Sequence, residues 1–366
     1  MKSCHTWPTC FSLIACFLAL TASVSSAETI IVTDMGGRTV EVPLDPERII
    51  CLSSGTLRQI CYLQKSEKVV GIEDFERKRT ATRPYMLANP HLLPLPTVSP
   101  GGPGHINKEP DLEKVLEVKP QVIFISYMEA ARADALQNKV GIPVVILTHG
   151  KFATFDETVY DSIRLAGRIL KAEQRANEVV RLIEGFRKDL KARTQDIEEG
   201  AKPAAYAGAV LYKGLQGIES TDASYAPMEW VGARNLAKQV AQEGHIFVDK
   251  EKILRWDPDV IFLDAGGMSV VEQDIVKRAE FYRSLKAFRN GRVYLVYPFI
   301  AYVTNICTAL ADSYAVGKIL FPKRFADVDL KAKSEQIYAG LLGKPVYHEM
   351  EKQFGPLGKT LVFPVE

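Results

Sequence analysis

Short apolar runs recur along the chain, with amphipathic stretches between them. In the first half they are Ile49-Ile50-Cys51-Leu52, Val69-Val70-Gly71-Ile72, Val122-Ile123-Phe124-Ile125 and Val144-Val145-Ile146-Leu147. Helical patterns over Thr56 to Leu63, over Leu112 to Val118 and through Gln137 separate them. Continuously apolar strands are covered on both faces, and strands alternating with helices pair in parallel. The stretch from Glu28 to His149 therefore predicts an α/β lobe.

Between Phe155 and Ile197 the period changes to that of a long amphipathic helix. Ile163, Ala166, Ile169 and Leu170 form one stripe, and Val179, Leu182, Ile183, Phe186 and Leu190 form the next. This is too long for a crossover between neighbouring strands, with Lys171-Ala172-Glu173 a candidate junction and Gly185 a weak point. After Lys202-Pro203 the alternation restarts. Ala204 to Leu211, Val260 to Asp264 and Val293 to Val296 read as strands, while Met228 to Ala237 and Lys277 to Ala287 read as helical. A second α/β lobe follows from this. Asn305 to Ile319 reads as a closing helix and Ser334 to Leu342 as another, with an irregular tail from Lys344.

The N-terminus has the composition of an export signal. Lys2 supplies positive charge, Phe11 to Ala22 is apolar, and Ser25 and Ala27 occupy the −3 and −1 positions of a small-residue cleavage site. The mature chain is expected to begin near Glu28 as a periplasmic protein, with 339 of the 366 residues. A lipoprotein reading, with Leu13-Ile14-Ala15-Cys16 as the box and a lipid on Cys16, leaves only a short apolar run ahead of the cysteine. No later apolar run approaches the roughly 20 residues that span a bilayer.

Lys and Arg number 46 against 44 Asp and Glu, so no strong net field draws in nucleic acid or an anionic membrane. Outside the signal the cysteines are Cys51, Cys61 and Cys307, without Cys-x-x-Cys spacing, and buried apolar packing is their ordinary use. The histidines there are His91, His105, His149, His245 and His348, with no His-x-His pair. A bare transition-metal site, which needs three or four converging ligands, is disfavoured. No intrinsic cofactor is expected.

Several segments together resemble the periplasmic binding proteins of iron-siderophore, haem and vitamin B12 importers. Val32-Thr33-Asp34-Met35-Gly36-Gly37-Arg38-Thr39-Val40-Glu41-Val42-Pro43, then Pro46-Glu47-Arg48-Ile49-Ile50, looks like that family's opening hairpin and first core strand. Pro110-Asp111-Leu112-Glu113-Lys114-Val115-Leu116 leading to Lys119-Pro120-Gln121-Val122-Ile123-Phe124 is similar to its helix-then-strand unit. That unit returns as Glu251-Lys252-Ile253-Leu254 with Asp257-Pro258-Asp259-Val260-Ile261-Phe262, and Gly291-Arg292-Val293-Tyr294 resembles its late strand.

The resemblance implies two Rossmann-like α/β lobes joined by a single long α-helix, with a ligand cleft between them and little hinge motion. The expected division is a signal at 1–27, a first lobe at 28–152, a helical bridge at 153–200, a second lobe at 201–330 and a C-terminal helix and tail at 331–366. It also implies a monomeric receptor that captures a metal chelate, namely a ferric siderophore, haem or corrinoid, and delivers it to the permease dimer of an ABC importer. The metal would arrive as part of the chelate.

Ligands of open α/β sheets bind beyond the carboxyl ends of the strands. The loops there carry Arg77, Arg79, His105, Tyr127, Met128 and His149 in the first half, and Tyr212, Tyr225, Met228, Met268, Tyr297 and Tyr302 in the second. Aromatic faces suit flat or aryl-bearing ligands, arginines suit anionic groups, and either histidine could complete a metal's coordination. The Gly-rich run Ser99 to Gly104 lacks the lysine of a phosphate loop and reads as a close-approach turn.

Relatives of this kind dock to permease arginines through one acid per lobe. Glu229 matches in the second lobe, whereas Arg58 stands where the first lobe's acid is expected, leaving Glu73 or Asp74 as substitutes. A nickel or cobalt complex and an oxyanion such as molybdate remain alternative cargoes. A chelatase-like enzyme, with His149 facing Glu129, is the alternative of another class. Intact-mass measurement of the exported protein tests the signal: the expected start is close to Glu28, and a diacylglyceryl-Cys16 mass would show the lipoprotein reading to be the correct one.

Overall fold

The computed structural model describes Met1 and residues 28–78, 80–150 and 155–363. The signal segment, Arg79 and residues 151–154 lie outside the described residues.

The chain opens with an antiparallel hairpin of β1 (Thr29–Thr33) and β2 (Thr39–Pro43), whose alternate Val32, Val40 and Val42 are buried. Its turn is organised by one buried carboxylate. Asp34 accepts the Gly36 and Arg38 N–H groups at 2.9 Å each, and its other oxygen takes the Ile146 N–H at 3.1 Å. Arg38 completes the pair at 2.9 Å and donates onward to the Val144 carbonyl at 2.8 Å. The hairpin is thereby fastened to the first sheet's edge.

That sheet holds β3 (Ile49–Leu52), β4 (Val69–Glu73), β5 (Thr97–Ser99), β6 (Val122–Ser126) and β7 (Val144–Leu147) in the order β5-β4-β3-β6-β7, all parallel. Every residue of β3, β6 and β7 is buried, as their unbroken apolar runs require. The chain first winds from β3 toward β5 and then returns to β6 on the opposite side. The switch point therefore lies at the carboxyl ends of β3 and β6.

The second half adds a small antiparallel ribbon of β9 (Ser220–Asp222) with β11 (His245–Phe247). Its main sheet contains β8 (Ala204–Gly208), β10 (Arg234–Asn235), β12 (Val260–Asp264) and β13 (Val293–Val296) in the order β10-β8-β12-β13, again parallel. The fold is thus a mixed α/β, two-lobed one. Cys51, Cys61 and Cys307 are free and buried.

The link between the sheets departs from one continuous helix. Thr158–Ile169 packs on the first lobe, where the Ser162 hydroxyl receives the Thr148 N–H and donates to Gln59. The chain breaks at Lys171, whose φ is 47°, and restarts as Glu173–Thr194. At ~1.5 Å per residue the second helix is ~33 Å long. Gly185 does not interrupt it, because Ala176, Val179, Val180, Ile183, Phe186 and Leu190 keep one face buried on both sides of it.

Of the two expectations for the end of the chain, one holds and one is corrected. The helix expected over Asn305 to Ile319 is present as Ile306–Leu320, and it is buried almost throughout, between the connecting helix and Leu330–Leu342. The tail is not irregular. Tyr347–Phe354 is helical, and the chain then runs antiparallel to β13, with Leu295 N–H to Lys359 O at 2.9 Å and Leu361 N–H to Val293 O at 2.8 Å. The pairing is an isolated bridge of Thr360 with Tyr294, made by backbone groups just after Pro356 and Gly358, which interrupt any strand pattern.

Burial of Ile306–Leu320 has a measurable consequence at Gly317, where an added methyl would come within 2.3 Å of the Phe325 ring. Alanine in a helix interior gains about 1 kcal/mol over glycine, whereas overpacking costs about 1–3 kcal/mol. Phe325 is fully buried and lies under the Arg193 guanidinium, so it has nowhere to retreat. Gly317→Ala is expected to lower the urea-unfolding free energy by up to roughly 2 kcal/mol, and a rise would show that the ring yields.

Candidate ligand site at the seam between the lobes

Backbone in the left-handed region clusters where strands end. Ser53 follows β3 at φ 67°, Tyr127 follows β6 at φ 53°, and Tyr302 and Val303 lie beyond β13 at φ 57° and 61°. Each such residue costs of order 1–2 kcal/mol, and a β-branched residue such as Val303 adopts this region only when its surroundings impose it.

Arg58 imposes it. This arginine is fully buried on the helix Thr56–Tyr62 of the first lobe. Its Nη1 donates to the carbonyls of Val303 at 3.2 Å and Thr304 at 2.6 Å, and its Nη2 donates to those of Ala301 at 3.0 Å and Tyr302 at 2.8 Å. The guanidinium also lies 5.1 Å from the centre of the Tyr85 ring. A segment of the second half is thereby held on the first lobe. Gly55 makes the approach possible: a methyl there would fall within 2.4 Å of His149 and 2.6 Å of Val303.

A second contact crosses the seam at Glu73, the buried last residue of β4. Its carboxylate accepts the Tyr302 hydroxyl at 2.5 Å and the Ser53 N–H at 3.0 Å, and Gly102 N–H donates to the same hydroxyl at 2.9 Å. Burial pushes the Glu73 carboxyl up to about 7, against the opposing pull of these hydrogen bonds. The Tyr302 ring meets Phe75 edge-on at 4.8 Å, and the Arg83 guanidinium lies 4.7 Å from the Phe75 ring centre. The Gly-rich turn fits beneath, where side chains at Gly101 or Gly102 would strike Glu73 or Phe75.

Around these contacts lie small polar groups. The hydroxyls of Ser53, Ser54 and Thr304 are buried without a hydrogen-bond partner. Tyr127 has its hydroxyl pushed up to about 12 by burial. His149 is buried with Nε2 2.8 Å from the Gly55 carbonyl, so Nε2 carries the proton and Nδ1 keeps a lone pair. Burial, then the Arg58 charge, lower its pKa to about 3, and the ring is neutral. Neutral donors near a buried guanidinium can hold an anion, and the Nδ1 lone pair can meet a metal carried by a chelate.

The residues assigned to the cleft from sequence divide accordingly. Tyr127, His149 and Tyr302 come together at the seam, while His105 ends a 3-10 turn, half-buried. Arg77 is corrected: it donates to the carbonyls of Leu93, at 2.9 Å, and Leu95, and to the Thr97 hydroxyl at 2.8 Å, bracing the approach to β5. Arg79 lies outside the described residues.

Met128 and Met228 are core residues, and Tyr225 and Tyr297 are fully buried. Tyr225 packs edge-on to Phe299 at 5.1 Å, and Tyr297 donates to the Gly355 carbonyl at 2.7 Å. Tyr212 stacks on His245 at 3.8 Å. Met268 lines a groove of about 820 Å³ shared with Ile275, Leu361 and Phe363. That groove also takes in Glu272, Lys359 and Thr360, but it lies away from the strand-end loops where Tyr127, His149 and Tyr302 meet.

Glu73 is corrected as a docking acid, because it is 3% exposed and hydrogen-bonded across the seam. Asp74 is more open and pairs with Lys78 at 2.9 Å. Glu229 is exposed and pairs with Lys238 at 2.7 Å. Glu129 is exposed and bonded to Asn107, while His149 faces Gly55, so no bond links the two as a chelatase pair would require. Sequence reasoning overlooked Ser53, Ser54, Thr304 and Arg83, and read Arg58 only as a missing acid. The available signal was a lone charged residue in the short helix Thr-Leu-Arg-Gln-Ile-Cys-Tyr that follows Ser-Ser-Gly.

Two α/β lobes meeting at their strand ends define a receptor for a small ligand. The periplasmic binding protein model matches residues 49–298, more than half of the chain, and the chain belongs to that family. It is 25% identical over 353 residues to the molybdate-binding protein MolA of Haemophilus influenzae, covering 89% of this chain and 94% of the relative. The structure of MolA bound to molybdate aligns with a TM-score of 0.69 at 22% identity, covering 86% of this chain and 98% of the other. A periplasmic solute-binding protein from Veillonella parvula aligns at 0.71 and 20% identity, covering 89% and 97%. The nickel–histidine complex of Helicobacter pylori CeuE aligns at 0.60 and 17% identity, covering 91% and 100%. The chain is a substrate-binding protein of the ABC transporter class.

The depressed His149 fixes a pH dependence. The folded ring stays neutral down to about 3, whereas the unfolded ring protonates below about 6.5, so its contribution is complete above that value and is lost as pH falls toward 3. Glu73 acts oppositely: its contribution is present below the ordinary carboxyl range and is lost as pH rises through about 7. The His149 part alone is worth roughly 2 kcal/mol between pH 6.5 and 5. Urea unfolding at those two pH values is expected to show a smaller acid loss in His149→Gln than in wild type. Equal losses would place the titration elsewhere.

Proposed function

We propose that this chain is the exported receptor of an ABC importer for a small oxyanion of the molybdate class. The observation that carries the reading is the set of buried, unpartnered hydroxyls of Ser53, Ser54 and Thr304 beside the buried Arg58 guanidinium. Hydroxyls and backbone N–H groups near a desolvated cation match the acceptor shell of a compact anion. Much of the aromatic and arginine set that would grip a flat chelate has other partners: Tyr225 and Tyr297 are buried, and Arg77 braces a loop. The likeness to MolA supports the same cargo.

The neutral His149, with a lone pair on Nδ1, favours a second reading, in which the cargo is a metal chelate such as a ferric siderophore, haem or corrinoid. On either reading the loaded receptor is periplasmic and delivers its cargo to a permease dimer, with exposed Glu229 as the second lobe's docking acid.

Titration calorimetry of the mature protein with molybdate, tungstate, sulfate, phosphate, haem, cobalamin, a ferric catecholate and nickel–histidine separates the two. The expected outcome is molybdate and tungstate binding at about 1 µM or tighter, roughly −8 kcal/mol, with sulfate and phosphate weaker. Binding of a chelate in preference to every oxyanion would establish the second reading instead.

A further inference from the structure

Arg58 is an unusual group to find at such a place. A fully buried guanidinium is costly unless its charge is answered, and among the described residues it forms no ion pair within 4.0 Å. Its answer is four carbonyl oxygens of one loop, Ala301 to Thr304. Two consequences follow from elementary geometry and electrostatics.

The first concerns direction. In a trans peptide the N–H points opposite to the C=O of the same unit. With the carbonyls of Ala301 and Tyr302 turned in to Arg58, the N–H groups of Tyr302 and Val303 are turned outward. Carbonyls do not favour this arrangement unaided, since both residues are left-handed and one is β-branched.

The second concerns sign. The buried charged groups here are Arg58 and Arg83 against Glu76 and Glu73, and Glu76 already has Arg83 at 3.6 Å and the Tyr85 hydroxyl at 2.6 Å. Burial holds the Glu73 carboxyl partly protonated near neutral pH. With Glu76 set against Arg83, the Arg58 charge is left without an ion-pair partner in the cluster. The potential reaches the seam, since the Arg58 charge is among the causes that shift both Tyr127 and His149.

Resting on the oxyanion reading above, we propose that Arg58 is the positioning residue of the site. It holds the Tyr302 and Val303 peptides with their N–H groups outward and supplies the positive potential that selects an anion, while its own donors stay on the carbonyls and never touch the ligand. Lysine in its place keeps the charge but lacks the planar fork that reaches four acceptors, and glutamine keeps neither.

The test uses the mature protein with Arg58→Lys, Arg58→Gln and the core variant Ile183→Ala as a control for lost stability. Hydrogen exchange is followed without ligand at the Asn305 N–H, which closes this loop on Phe299 O at 2.8 Å. Tungstate and molybdate affinities are measured in parallel. Both Arg58 variants are expected to exchange at Asn305 at least tenfold faster. Affinity should fall about tenfold in Arg58→Lys, which loses the fork, and about 100-fold in Arg58→Gln, which loses the fork and the nearby buried charge. The control should bind within twofold of wild type.

Arg58 variants that bind within twofold of wild type, or a control that loses as much affinity as they do, would overturn the proposal. Should Arg58→Gln fail to fold, Arg58→Lys against the control decides. A wild-type protein that binds no oxyanion overturns the functional reading and the charge-selecting half with it. Unchanged Asn305 exchange in the variants overturns the positioning half separately.

Discussion

The guanidinium of Arg58, buried and bonded to four consecutive carbonyls from the far end of the chain, is the contact on which the seam between the lobes depends. It reverses the usual relation between charge and burial. A lone buried arginine destabilises a core, but here it collects backbone acceptors that would otherwise be left without donors in a dry place. The left-handed Tyr302 and Val303, the short Tyr302–Glu73 bond and the approach of Gly55 to His149 are all arranged around it.

These contacts give the molecule two mechanical links between its lobes. One is covalent and stiff, the 22-residue helix Glu173–Thr194. The other is the Ala301–Thr304 loop, which belongs to the second half by sequence and to the first lobe by its hydrogen bonds. A hinge needs a few backbone positions free to absorb a large dihedral change. The seam offers the reverse, residues already in costly conformations and held there from several sides, and this agrees with a receptor whose ligand enters a preformed site.

Electrostatics at the seam follow from burial. Glu73 is pushed up and His149 is pushed down, so each is held toward its neutral form, and with Glu76 set against Arg83 the charge without an ion-pair partner is that of Arg58. On the oxyanion reading proposed above, such a set of neutral donors beside a buried cation would not need to reorganise when the ligand arrives. Such preorganisation preserves affinity that ordering loose groups would consume.

Much of the architecture was legible from pattern. The unbroken apolar runs located β3, β6, β7, β12 and β13, and the change to a helical period located the connection, because burial on both faces and burial on one stripe leave different local signatures. Local signatures failed where the partner was distant. Residues on strand-end loops were assigned to the cleft by chain position alone, yet Met128 and Met228 point into the core and Arg77 braces its own loop. Glu73 carried nothing in sequence to separate a docking acid from a buried acceptor. Arg58 was the clearest case: its acceptors lie 243 to 246 residues away, and whether a guanidinium faces solvent, a carboxylate or four carbonyls is decided only when the two ends of the chain are packed together. Periodicity records which face of an element is covered. What covers it, and with which atoms, belongs to the tertiary structure.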